Sequence, residues 1–145
     1  MGNFFDRCKE CKACCKTSDR FVHIHVCGHE NGMASLLSSM GQDTKDIIVP
    51  PFSSCRFLGE NGCSLGDSKP FQCMAYPVLF LCDGSLGIDP ACTHSGEYVS
   101  QLGDPLSDAG RHFQAVKKVA SSLGDDEKRV LADWSRFIDD IIVPP

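Results

Sequence analysis

The amino-acid sequence predicts an α+β fold in which a small, irregular cysteine-rich module of short strands and turns packs against a C-terminal antiparallel helix pair. Three observations predict it. All ten cysteines lie between Cys8 and Cys92, and the 53 residues from there to Pro145 contain none. The cysteine-bearing part is rich in Gly, Pro, Ser and Asn, and its apolar pieces are too short to offset chain entropy by burial alone, so it needs a staple. The remainder carries a sustained helical period. With 145 residues the chain is one domain by length, with a cysteine-rich module over 8–92 and a helical pair over 104–142.

Taken in order, Phe21 to Val26 alternates apolar and polar residues as a half-buried strand does, and Ile47 to Val49 reads as a second strand. Between them Met33, Leu36, Leu37 and Met40 mark a short helix closed by Gly41. Asn61-Gly62 favours a tight reversal between Cys55 and Cys63. In the tail Leu106, Ala109, Phe113, Val116, Ala120 and Leu123 recur at intervals of three and four, the signature of one buried helical stripe, with Asp104 as N-cap, Pro105 in the first turn and Gly124 as terminator. A second helix capped by Asp125 or Asp126 presents Val130, Leu131, Trp134, Phe137, Ile138 and Ile141 before Pro144 stops it. Trp134 and Phe137 follow this stripe and are expected in the core, not as a stacking platform. The hexapeptide Asp46 to Pro51 recurs at Asp140 to Pro145, and without a sustained period it is read as coincidence.

Composition narrows the function. A net charge of -5 gives no general attraction to phosphates or anionic lipid, so neither nucleic acid nor a membrane surface is an expected partner. No run approaches the roughly 18 apolar residues of a membrane helix. Met1 to Asp6 lacks the charged start and apolar segment of a secretory leader, and Asp6 breaks the acylation motif that Gly2 would begin. The expected compartment is therefore the cytoplasm, where thiols stay reduced and clustered cysteines hold metal more often than they form disulfides.

The cysteine spacing carries the chemistry. Cys8, Cys11 and Cys14 are separated by two residues each, and Cys15 follows directly. Such gaps let successive thiolates curl around one centre, because a tight turn brings residues i and i+3 together. The same three-cysteine spacing occurs in loops that hold a [4Fe–4S] cluster with a distant fourth cysteine, for which Cys73 is the candidate; zinc needs four ligands in all. One of Cys14 and Cys15 can serve the centre while the other serves a second site or is buried as a small hydrophobe. Cys55 and Cys63 form a second candidate pair. Pro70 fixes the approach to Cys73, and Asp89-Pro90 the approach to Cys92.

Cys8-x2-Cys11-x2-Cys14-Cys15, then Cys55-Arg56-Phe57-Leu58, Cys63-Ser64-Leu65, Lys69-Pro70-x2-Cys73 and Tyr76-Pro77 resemble the CxxCxxCC family of zinc- or iron-chelating proteins, with Cys92 matching its later cysteine. The resemblance covers about two thirds of the chain and implies metal binding. Flagellin lysine methylase, a relative of that pattern, uses an iron–sulfur centre. The chain departs from the family at Lys69, where Arg is usual, and at Gly66, where an aromatic is usual. Lysine keeps the charge and loses the planar fork. Methylation chemistry does not carry over, since no G-x-G-x-x-G loop is present.

The metal-ligand set is thus Cys8, Cys11, Cys14, Cys15, Cys55, Cys63, Cys73 and Cys92, around zinc ions or a [4Fe–4S] cluster. Cys27 and Cys82 read as buried structural thiols. His23, His25, Cys27 and His29 alternate and would share one strand face, best read as an exposed polar face. His94 is an alternative nitrogen ligand beside Cys92, and His112 reads as a surface or interface residue. No catalytic constellation is recognisable from spacing. The expected function is metal binding; a redox or electron-transfer protein, a metal-dependent enzyme and a metal storage or delivery protein are the alternatives.

Overall fold

The computed structural model describes residues 20–28, 30–42, 46–59, 62–65 and 69–144, which fall into two compact units, residues 20–74 and 75–144. It is an α+β structure of short antiparallel ribbons and five α-helices among the described residues.

In the first unit β1 (Val22–His25) pairs antiparallel with β2 (Asp46–Val49), with Val22 opposite Val49 and Ile24 opposite Ile47. These four side chains are buried, each contributing roughly 1.5–3 kcal/mol of transfer free energy. The alternation puts His23 and His25 on the other face. Helix α1 (Asn31–Ser39) connects the strands, buries Met33 and Leu37, and ends at Gly41, whose φ of 80° suits a residue without Cβ. A two-residue ribbon follows, β3 (Leu58–Gly59) with β4 (Gly62–Cys63); of the expected Asn61-Gly62 reversal, Asn61 lies outside the described residues. The unit closes through α2 (Phe71–Ala75).

The second unit begins with the cis Tyr76–Pro77 peptide and a hairpin of β5 (Val78–Phe80) with β6 (Leu86–Ile88). Three helices follow, α3 (Ser95–Gln101), α4 (Asp108–Ser122) and α5 (Asp125–Asp133), and a 3-10 turn over Trp134–Phe137.

The tail departs from its predicted form in four ways. Asp104 does not cap α4: its carboxylate accepts from the Leu106 N–H and its carbonyl from the Ser107 N–H, forming a turn that leaves Leu106 80% exposed. Ser107 is the cap instead, its hydroxyl accepting from the Gly110 N–H at 3.0 Å. A Cβ at Gly110 would come within 2.2 Å of the Asp104 carbonyl oxygen, so only glycine lets this turn fold back on the helix. Secondly, Gly124 does not terminate α4 but caps α5, and the extended ψ of Leu123 and Gly124 sends the two helices to different neighbours. α4 packs against α3, and α5 packs against β5, in place of the helical hairpin.

Thirdly, the second helix stops long before Pro144. Asp140 takes a φ of 59°, and the chain runs on extended to bridge Ile142 to Ile88 at the edge of β6 through two backbone hydrogen bonds. Phe137 is 65% exposed as a result, against the core position its spacing predicts, whereas Trp134 is buried as expected. The two copies of the hexapeptide accordingly differ, one forming the regular strand β2 and the other a single bridge after a left-handed residue. Fourthly, His112 is fully buried.

His23 and His25 are half-buried and share one carboxylate. Their Nε2 and Nδ1 groups lie 2.8 and 3.2 Å from Asp46 Oδ1. Partial burial opposes ionisation of Asp46, but the two imidazole hydrogen bonds and the charge of the rings outweigh it and hold the carboxyl below its ordinary value of 3.8. A depressed carboxyl pKa stabilises the fold above the unfolded-state value and loses that contribution as pH falls through the folded-state value. The gap in urea midpoint between wild type and Asp46→Asn is therefore expected to shrink as the pH is lowered below 3.8 and the carboxylate is lost. A gap independent of pH through that range would contradict the assignment.

Candidate metal centre

Four of the eight predicted ligands, Cys8, Cys11, Cys14 and Cys15, lie outside the described residues, as does His29. The other four are placed by identifiable local structure.

Cys55 opens a tight turn in which its carbonyl accepts from the Leu58 N–H at 2.9 Å. Leu58 is the cross-strand partner of Cys63, and the Ser64 N–H returns to the Phe57 carbonyl at 2.7 Å. The backbones of Cys55 and Cys63 are thereby brought to the same end of one ribbon. Arg56 stacks its guanidinium 5.2 Å from the Phe57 ring centroid, and Phe57 is buried beneath. Its guanidinium also donates to the Gln42 side chain.

Cys73 is half-buried on α2, just after the buried Pro70 and Phe71. The Glu30 carboxylate holds this helix: one oxygen accepts from the Cys27 N–H at 2.6 Å and the other from the Phe71 N–H. Gln72 adds a second tie, its amide oxygen accepting from the His25 N–H at 2.8 Å. Three segments, the end of β1, the start of α1 and α2, are fixed together by two side chains. Neither was singled out in the sequence. Glu30 precedes a helix and resembles a local cap, yet it makes no such bond to α1. Its partner Phe71 lies 41 residues away, a relation that spacing does not reveal.

Cys27 is fully buried, as expected of a structural thiol, whereas Cys82 is exposed. Cys82 occupies the turn in which the Gly84 N–H returns to the Leu81 carbonyl, so the reversal between β5 and β6 carries it to the loop tip. Cys27, Cys55, Cys73, Cys82 and Cys92 are not joined to one another by disulfides.

In the second unit Cys92 is buried in a loop organised by Asp89. The Asp89 carboxylate accepts from the Ala91 N–H at 2.9 Å and from the Tyr76 hydroxyl at 2.8 Å, and its backbone N–H donates to the Pro77 carbonyl. The Cys92 carbonyl then receives the Ser95 N–H, leading through His94 into α3. His94 is half-buried at the N-cap position. Behind the loop Tyr98 and His112 form a buried pair, hydroxyl to Nδ1, at 2.6 Å. Burial, with the nearby Cys92 charge adding to it, raises the Tyr98 pKa far above the ordinary phenol value. Tyr98 therefore keeps its hydroxyl proton, and the hydroxyl and the imidazole Nδ1 share one buried hydrogen bond. This corrects the surface reading of His112: its polar atom is satisfied inside the core by a tyrosine one helix away.

Among the described residues no group of three or more histidine, cysteine or acidic side chains is arranged to hold a metal ion. None of their helices is long and apolar enough to cross a membrane.

Removing the Glu30 carboxylate strips the acceptor from two backbone N–H groups. Glu30→Ala is expected to lower the unfolding free energy read from urea titration by about 1–3 kcal/mol, and Glu30→Gln, which keeps one acceptor, by less. Equal stability of wild type and Glu30→Ala would show that the clamp contributes nothing. The chain matches no protein-family model, curated protein or solved structure.

Proposed function

We propose that the chain is a metal-binding protein of the CxxCxxCC type, which coordinates zinc or an iron–sulfur cluster through cysteine thiolates. The donors are Cys8, Cys11, Cys14 or Cys15, Cys55, Cys63, Cys73 and Cys92. The observation that carries this reading is the clustered spacing of Cys8, Cys11, Cys14 and Cys15. It is supported by the ribbon that returns the backbone of Cys63 towards the Cys55 turn. A donor set of thiolates suits a soft or borderline cation and not magnesium or calcium. Metal-stapled packing of the irregular segments belongs to the same proposal, because their short ribbons bury little apolar area.

If the metal is structural, binding free energy is folding free energy, on the order of 10 kcal/mol in zinc-finger peptides. Circular dichroism of the reduced protein is expected to lose its folded signal and melting transition in the presence of a strong chelator. The same treatment should be reproduced in part by Cys55→Ser combined with Cys63→Ser, which leaves less metal per chain. An unchanged melting curve in fully metal-free, reduced protein would overturn the structural role.

A further inference from the structure

The second unit contains a groove of about 460 Å³ that plays no part in the proposed metal centre. Its walls come from the β5–β6 hairpin, from α4, from the first turn of α5 and from the C-terminal extended segment. Phe80, Leu81, Leu86, Phe113, Val143 and Pro144 supply most of its surface, so its lining is predominantly apolar. Phe113, Lys117 and Ala120 recur at intervals of four and three along α4 and therefore share one helical face.

Two charges line the groove, Lys117 and Lys128, and no acidic residue does. Their electrostatic situation differs from that of the neighbouring arginines. Arg111, Arg129 and Arg136 each have an aspartate three residues earlier, at 2.6, 3.6 and 2.7 Å. Neither Lys117 nor Lys128 forms an ion pair with any described residue. Lys117 and Lys128 are thus two ammonium groups without ion-pair partners among the described residues beside one apolar groove, while Asp125, Asp126 and Glu127 on the first turn of α5 are not part of its lining. The volume lies within the range of small-molecule pockets, which combine apolar walls with a few polar groups that fix orientation.

We propose that this groove binds a small amphipathic carboxylate, a medium-chain fatty acid in chemical class. The hydrocarbon tail lies against Phe80, Leu86 and Phe113, and the carboxylate is held by Lys117 and Lys128. Tail burial supplies roughly 0.8 kcal/mol per methylene, which drives association. The lysines select a head group that is anionic over one that is neutral or cationic. This inference is independent of the metal reading and survives its failure.

The test is a titration of the full chain with decanoate, kept below its micelle-forming concentration, followed by amide chemical shifts and calorimetry. The proposal expects saturable one-to-one binding with Kd below about 1 mM and shifts concentrated on groove residues. Decanol, with the same tail and no charge, should bind about tenfold or more weakly, and so should decanoate to the Lys117→Gln/Lys128→Gln variant. Lys118→Gln, on α4 but outside the groove lining, should bind as wild type does. Absence of saturation, equal affinity for decanol, undiminished binding by the double variant, or shifts centred elsewhere would each overturn it. So would association with anionic phospholipid vesicles in a protein that does not bind free decanoate, since that identifies a membrane surface as the occupant.

Discussion

Irregular backbone stays in place only when its N–H groups find acceptors, and in the first unit one carboxylate supplies two of them. Glu30 receives the N–H groups of Cys27 and Phe71, so the segment leaving β1 and the helix that carries Cys73 are held by a single side chain. An orphaned buried N–H costs about as much as a good hydrogen bond contributes, which makes such a bridge worth more than its contact area suggests. Gln72 repeats the device from the other side by accepting from His25. The ribbon of β1 and β2 supplies a small apolar core, and these polar ties determine where the cysteine-bearing segments lie around it.

The second unit uses the same logic with different residues. Asp89, fully buried, accepts from Ala91 and Tyr76 and thereby shapes the loop that presents Cys92. Tyr98 and His112 satisfy each other within the packing of α3 on α4. Here the apolar surface is larger, with Val78, Ile88, Val116, Leu131 and Trp134 all buried. Buried polar pairs of this kind specify one arrangement of neighbouring elements, because any slip leaves a donor or acceptor without a partner.

Periodicity was enough to locate β1, α1 and β2, since each is determined by residues within a few positions of one another. The α+β class was legible for the same reason. What local pattern does not contain is the identity of distant partners. His112 reads as a surface residue until Tyr98, 14 residues earlier, is known to face it. The stripe through Phe137 and Ile141 is helical in period, but β6 has a free edge, and pairing Ile142 with Ile88 draws the chain out of the helix. Gly124 can end one helix or begin the next, and the extended backbone of Leu123 and of Gly124 itself decides for the second. Within the candidate centre, neither the tight turn that Cys55 opens nor the Glu30 clamp was legible, because each depends on backbone partners that spacing does not reveal.

The cysteine constellation joins these observations to chemistry. The proposed metal reading draws on cysteines at one end of a ribbon, on a short helix and in a carboxylate-braced loop, and thiolate donors select a soft or borderline cation. The most direct test is elemental analysis of anaerobically purified protein joined to its absorption spectrum. The account predicts stoichiometric zinc in a colourless protein, or iron with inorganic sulfide and a visible charge-transfer band. Protein that carries neither metal, with its cysteines oxidised pairwise to disulfides, would contradict it.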